Sequence, residues 1–326
     1  MTPKLERYTF VPLKPETAVS GKGDMSRVAA ITTLLHLAAE NSGGASKLKA
    51  VELEGQRGQG ALLAPLAVAI IGREQHYILD IAVSSTQPLP ECLTELGIKQ
   101  TNNDLPARTD IILTTDSLAD TTPATRKKIL DSLKPGGFVL TEEVGSNRLS
   151  VPKDLDLVVV AKQQVDKYSY LLLRKLEKVK SYHTIKVNNN EFSWVEPLKK
   201  VLKDNIGWGE RILLVAQGEE FSGLAGLILS LMKEPGGQSV RAVLILDPKA
   251  PAFSCSDPVY AKQLQLDLVS NVLRDASKNE WGTYRHTLLD IDGDAASRQV
   301  EHAYIDTLSR GYLSAPRWFE APSYHR

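Results

Sequence analysis

Short apolar runs that read as strands alternate with helix-length segments along most of this chain, and that alternation restricts it to an α/β architecture with a largely parallel sheet covered on both faces. The series runs LKAVELE, HYILDIA, a helix through Cys92 and Leu96, DIILTT, ATRKKILDSL and FVLTEE. Lys134-Pro135-Gly136-Gly137 breaks the last helix and turns the chain into a strand beginning at Phe138. LDLVVVAKQ and YSYLLLRK follow across a short turn at Asp166-Lys167, which predicts an antiparallel hairpin closing the sheet. Ahead of the series, Asp24 is placed to cap a helix with Val28, Ile31, Leu35 and Ala38 on its apolar face, stopped by Gly43-Gly44.

At 326 residues the chain is long enough for two cores. Lys175, Lys178, Lys180, Lys186 and the run Asn188-Asn189-Asn190 mark a boundary. Beyond it, WVEPLKKVLKDN reads as a helix, and RILLVA, SGLAGLILSLMK and VRAVLIL as a strand-helix-strand unit with Ser222 as N-cap and Pro235-Gly236-Gly237 as the stop. Asp257-Pro258 starts a further helix through Leu264, Leu268, Val272 and Leu273, followed by a strand WGTYRHTLLD and a helix QVEHAYIDTLSRG. This second series has fewer strands than the about six of a complete dinucleotide-binding domain, so it is truncated. The expected organisation is a linker over residues 1–24, one Rossmann-like module over 25–178, a second over 179–314, and the start of another linker over 315–326. The closing segment, LSAPRWFEAPSYHR, has the look of a cut between domains.

With 39 basic and 39 acidic residues the formal charge is zero, which provides no field to steer nucleic acid or an anionic membrane. Cys92 and Cys255 are far apart with no ligand cluster around either, so neither a disulfide framework nor a zinc site is encoded, and a cytoplasmic setting is expected. The first residues lack the apolar core of a secretory signal. The longest apolar run, Ala61 to Ile71, is interrupted by Pro65 and falls short of the ~20 residues that span a bilayer.

Two glycine loops sit where an α/β sheet places a nucleotide. The first strand runs into Glu52-Leu53-Glu54-Gly55-Gln56-Arg57-Gly58-Gln59-Gly60, and Asp80 is expected to end the second strand, where an acid would hold ribose hydroxyls. In the second module, Phe221-Ser222-Gly223-Leu224-Ala225-Gly226 keeps the second and third glycines of a dinucleotide fingerprint, and Asp247 ends the next strand. Phe221 replaces the first glycine and would obstruct a pyrophosphate; Gly223 and Gly226 are then expected to serve close helix-strand packing. Ser169, Tyr182 and Lys186 have the spacing of a short-chain reductase site, but YHTIKV is rich in β-formers and that chemistry needs Tyr and Lys on one helix. His36 and His286 read as ordinary helix and strand residues.

The glycine loop, Asp80, the Leu133-to-Gly137 turn and the terminal hairpin together resemble class I S-adenosylmethionine-dependent methyltransferases over about residues 46–175. That family's loop, acid-x-Gly-x-Gly-x-Gly, laid on Glu52 puts Glu54 and Gln56 at the first two glycines and keeps Gly58, with Gly60 beyond it. FSWVEPLKKVL, FSGLAGLILSLMKEPGG, DLVSNVLRD, WGTYRHTLL and HAYIDTLSRGYLSAPRW resemble the animal-type fatty acid synthase, of insect kind, and KLERYTFVP resembles the segment leaving its dehydratase. The resemblance implies a pseudo-methyltransferase followed by a truncated pseudo-ketoreductase. Neither would be catalytic or bind a cofactor or metal, and Glu52, Gly58, Gly60, Asp80, Gly223, Gly226 and Asp247 would be vestiges. It also implies partners in the catalytic ketoreductase and enoyl reductase domains of the same polypeptide, within a homodimeric multienzyme that uses NADPH. An active methyltransferase or an NAD(P)-binding reductase unit is the alternative expectation.

Overall fold

The computed structural model describes residues 23–42, 47–55, 63–72, 78–102, 104–144, 151–152, 154–187, 192–204, 209–218, 221, 223–283, 287–288, 303–307 and 316–320. They belong to two compact units, Met1–Ala295 and Ala296–Arg326. The larger unit carries two sheets.

The first sheet holds β1 (Lys47–Leu53), β2 (Ile78–Ser84), β3 (Lys99–Thr101), β4 (Thr109–Thr114), β5 (Leu133–Val144), β6 (Leu157–Val165) and β7 (Tyr168–Lys175) in the order 3-2-1-4-5-7-6. Strands β1 to β5 pair in parallel, and β7 lies antiparallel between β5 and β6. The order reverses at β1 and β4, which is the switch point where such sheets open a crevice. Four helices accompany it: α1 (Gly23–Glu40), α2 (Leu63–Ile70), α3 (Glu91–Glu95) and α4 (Pro123–Ser132). Thr122 caps α4 by accepting from the Thr125 amide, with Pro123 in the first turn where its missing N–H costs nothing. The turn expected to precede β5 lies inside it: Leu133 pairs with Thr109 and Phe138 with Ile111, so Lys134 to Gly137 loop out of the ladder, Gly136 at φ +78°.

The second sheet holds β8 (Ser181–Val187), β9 (Glu210–Gln217), β10 (Val240–Ile245), β11 (Ser270–Asp275), β12 (Glu280–Gly282) and β13 (Thr287–Leu288) in the order 13-12-11-10-9-8, six strands where the sequence series implied fewer, because two short antiparallel strands extend it. Strands β8 to β11 are parallel and the last two antiparallel. Its helices are α5 (Val195–Lys203), α6 (Leu224–Leu231) and α7 (Pro258–Leu264). Asp257 caps α7 as expected, accepting from the Val259 amide at 2.8 Å. The helix is shorter than its periodicity implied: Asp267 turns left-handed at φ 49°, and Val272 and Leu273 belong to β11. In the smaller unit, β14 (Ala303–Thr307) pairs antiparallel with β15 (Pro316–Glu320), so a strand stands where the helix QVEHAYIDTLSRG was expected. Tyr304, Ile305 and Thr307 are β-formers, and partner strand β15 overrides the helical period.

The two sheets share one apolar cluster, and each also has one of its own among the described residues. One continuous apolar cluster contains Leu34, Leu35 and Ala38 of α1, Ile111, Phe138 and Leu172 of the first sheet, Leu213, Val215, Val243 and Ile245 of the second, and Tyr260 and Leu264 of α7. The opposite face of the second sheet, with Ile212, Leu214 and Leu244, packs with Leu198 of α5 and Ile228 of α6 in a cluster of its own.

Where the sheets meet, charge is buried. Arg211 of β9 grips the Asp267 carboxylate with Nε and Nη2, both at 3.0 Å, and Arg241 of β10 grips the same carboxylate at 2.8 and 3.0 Å. Arg211 also donates to Glu177 at 2.7 Å. Arg174 of β7 reaches across to the carbonyls of Leu266 and Asp267 at 2.9 and 3.0 Å and to that of Asn41 at 3.3 Å, its guanidinium 4.8 Å from the Phe138 ring centroid. Asn41 in turn accepts the Val269 amide at 2.7 Å. Burial lowers the Arg174 pKa to about 10. Burial also pushes the Asp267 carboxyl upward, but the Arg241 and Arg211 guanidiniums outweigh it and hold the acid well below the usual carboxylate range.

Because the folded-state pKa of Asp267 is depressed, its stabilisation is complete above the unfolded value of ~3.9 and is lost as pH falls below it. Melting temperature measured against pH therefore drops steeply below about pH 4. Asp267→Asn flattens that acid limb and, by leaving buried guanidiniums uncompensated, lowers stability at neutral pH by about 3–5 kcal/mol.

Candidate functional site

The candidate positions lie at the carboxyl ends of the parallel strands: in the first sheet at the switch point between β1 and β4, and in the second, whose parallel strands run in unbroken order, at the turn after β9. In the first, Glu52 is the penultimate residue of β1 and is buried. Its carboxylate sits at the start of α2, accepting the Leu63 amide at 3.1 Å on both oxygens and the Ala64 amide at 2.6 Å. Pro65 comes next and has no amide to satisfy. The strand thus caps the helix, and the positive helix end that could have bound a ligand's anionic group already holds a protein carboxylate.

Gly55 follows. A β-carbon there would lie 2.6 Å from Thr115 Oγ1 and 3.3 Å from Asp116 Oδ1. The bare backbone that the family loop reserves for a cofactor is used here by the residues that leave β4. Beside the family register, the sequence allows a longer loop of Gly55, Gly58 and Gly60 that would still bind, and the contact of Gly55 with Thr115 is foreseen by neither register. Gln56, Gly58 and Gly60 lie outside the described residues.

Asp80 does not end β2. The strand runs on through Val83 and Ser84, and Asp80 is its third residue, at the end away from the crevice. It pairs with Lys99 at 2.6 Å and Lys47 at 3.1 Å, and these bonds hold its carboxyl below the ordinary value. At the crevice end stand buried Ser84 and Ser85, the latter's hydroxyl occupied by the backbone of Gln87 at 3.0 Å. Ser84 and Ser85, rather than Asp80, thus stand at the end of β2 where the resemblance puts an acid for ribose hydroxyls. Two other carboxylates lie at the end of β5. Glu142 is bound by Arg27 at 2.9 Å, and Arg27 also donates to the Tyr170 hydroxyl at 2.7 Å. Burial raises the Glu143 carboxyl, against hydrogen bonds from Ser117 and Leu118.

After β9 the positive φ belongs to Gly218, at φ 117°, its amide donating to the Ile245 carbonyl at 2.9 Å. The Phe221 amide donates to the Gly218 carbonyl at 3.4 Å, and Phe221 is half-buried and packs against the apolar cluster shared with α5 and α6. Gly223 is the N-cap of α6 in right-handed helical geometry. A β-carbon at Gly223 or Gly226 would meet nothing within 4 Å, and both are exposed, so the expectation that they serve helix-strand packing is overturned. Asp247 does lie at this edge, just beyond β10, but its oxygens accept the amides of Lys249 at 2.8 Å and Ala276 at 2.9 Å, joining the loops after β10 and β11.

Ser169 lies in β7 of the first sheet, while Tyr182 and Lys186 lie in β8 of the second, so the reductase trio shares no helix. The Tyr182 hydroxyl donates to the Leu264 carbonyl at 3.5 Å. His36 is half-buried within α1, and His286 is outside the described residues. Cys92 and Cys255 are free thiols, and among the described residues no group of side chains could hold a metal ion. No described helix is long and apolar enough to cross a membrane.

Residues 191–289 match the family model described as fatty acid synthase, pseudo-KR domain. The match supports a fatty acid synthase-type region over that stretch. Among solved structures, the chain is similar to a SAM-dependent methyltransferase from Aquifex aeolicus, with 14% identity over 47% of this chain and 93% of that one and a TM-score of 0.33. It is similar to a TehB-like SAM-dependent methyltransferase from Corynebacterium glutamicum, with 12% identity over 45% and 88% and a TM-score of 0.29. The CMeT domain of the citrinin polyketide synthase shares 15% identity over 40% and 47%, with a TM-score of 0.30.

Glu52 and Gly55 act in this chain through structure. Glu52→Ala is expected to cost about 1–2 kcal/mol through loss of the α2 cap, and Gly55→Ala about 1–3 kcal/mol by forcing Thr115 aside. Urea unfolding of both variants measures the two costs.

Proposed function

We propose that this chain is a non-catalytic structural region of an animal-type, insect-like fatty acid synthase multienzyme, in which a pseudo-methyltransferase and a truncated pseudo-ketoreductase scaffold the catalytic domains. The observation that carries the proposal is that groups a cofactor would need are spent on internal contacts. Glu52 caps α2, Gly55 makes room for Thr115, and both oxygens of Asp247 are taken by backbone amides. The match of residues 191–289 to the pseudo-KR family supports the same reading.

In this reading the partners are the catalytic ketoreductase and enoyl reductase domains of the same polypeptide, the parent is a cytoplasmic homodimer, and NADPH is consumed by those partners while this region binds no cofactor. Neither nucleic acid nor a membrane is a partner. A ligand present at 100 times its dissociation constant stabilises its protein by about 2.7 kcal/mol. Thermal melts with millimolar S-adenosylmethionine, and separately with NADPH, are therefore expected to superimpose on the ligand-free curve. A saturable upward shift with either compound would overturn the proposal.

A further inference from the structure

We infer that the second module has no independent folding equilibrium: a continuous apolar cluster and the Arg174 and Asn41 crossings make the two sheets unfold as a single cooperative unit. The inference concerns the joint between the sheets and stands whether or not either candidate position binds a ligand.

Three observations lead to it. A parallel sheet must bury both faces. In the second sheet α5 and α6 share a cluster with one face, while Leu213, Val215, Val243 and Ile245 on the other join Tyr260 and Leu264 of α7 in a cluster that continues into α1 and the first sheet. Separating the modules would divide that cluster.

The polar groups at the joint are also mutually dependent. Asp267 stands in left-handed geometry, and the carbonyls of Leu266 and Asp267 receive donors from Arg174, a residue of the first sheet. The Val269 amide at the entrance to β11 is satisfied by the Asn41 side chain, just beyond α1. Withdrawing the first module would take the Arg174 donor from the Leu266 carbonyl and the Asn41 acceptor from the Val269 amide, and would leave the Arg174 guanidinium only its bond to the Asn41 carbonyl. Unmatched burial of this kind carries a high cost, so intermediates with one module folded are disfavoured.

The chain provides its own reporters. Trp194, Trp208, Trp281 and Trp318, its four tryptophans, all follow the first sheet in sequence, whereas Cys92 is exposed within α3 of that sheet. In a full-length Cys255→Ser, Trp318→Phe background, which removes the tryptophan of the smaller unit, a fluorophore is placed on Cys92 and urea unfolding is followed by tryptophan emission and by the label. Coincident transitions are expected. Leu198→Ala, placed in the cluster private to the second sheet, should lower both midpoints equally. Arg174→Leu should lower the tryptophan midpoint by about 1–3 M urea and separate it from that of the label. Asn41→Ala should give a smaller separation if Arg174→Leu does not accumulate folded. Non-coincident transitions before mutation, or a Leu198→Ala shift confined to tryptophan, would overturn the inference.

Discussion

The doubly bidentate grip of Arg211 and Arg241 on Asp267 is the interaction on which the rest of the larger unit depends. The two arginines are the second residues of β9 and β10, so the grip clamps the starts of two neighbouring strands to the residue leading into β11. It also fixes the left-handed turn at Asp267, whose carbonyl is then presented to Arg174 from the other sheet. Removing the acid would leave three guanidiniums close together in a dry setting with Glu177 as the remaining acid among them.

The class of fold was legible because hydrophobic period and turn chemistry agreed over long stretches. Strands β1, β2 and β4 to β7, the hairpin at Asp166-Lys167 and the Asp257-Pro258 helix start follow from local signals, whereas the three-residue β3 was not foreseen. Local signals misled where a distant partner decided the outcome. AYIDT has a helical period in its surroundings but lies in a strand because Pro316–Glu320 pairs with it. Leu264, Leu268 and Val272 keep a helical spacing that the φ of Asp267 interrupts. The arginine joint was invisible in sequence, since Arg174, Arg211, Arg241 and Asp267 are scattered single residues with no motif around them.

Glu52 and Asp247 stand at the strand ends where the pattern put them, each committed to backbone amides. Asp80 was misplaced because β2 runs on to Ser84, which leaves Asp80 near its other end. Gly218 falls outside a fixed glycine spacing, and its positive φ is what marks it. Gly55 stands in the quoted loop, but its contact with Thr115 is visible only in the geometry. A glycine loop is thus better read from the contacts its residues make than from a count of its glycines.

Helix α1 gives the larger unit a mechanical property. Its 18 residues make a rod of about 27 Å, pinned near one end by Arg27 to Glu142 and Tyr170. Just past the other end, Asn41 is pinned to Val269 and Arg174. Tension on the segment that enters this helix would pass along a stiff strut and arrive at the seam where both sheets are stitched. The fold is built to carry a pull through its length rather than to absorb it in a hinge.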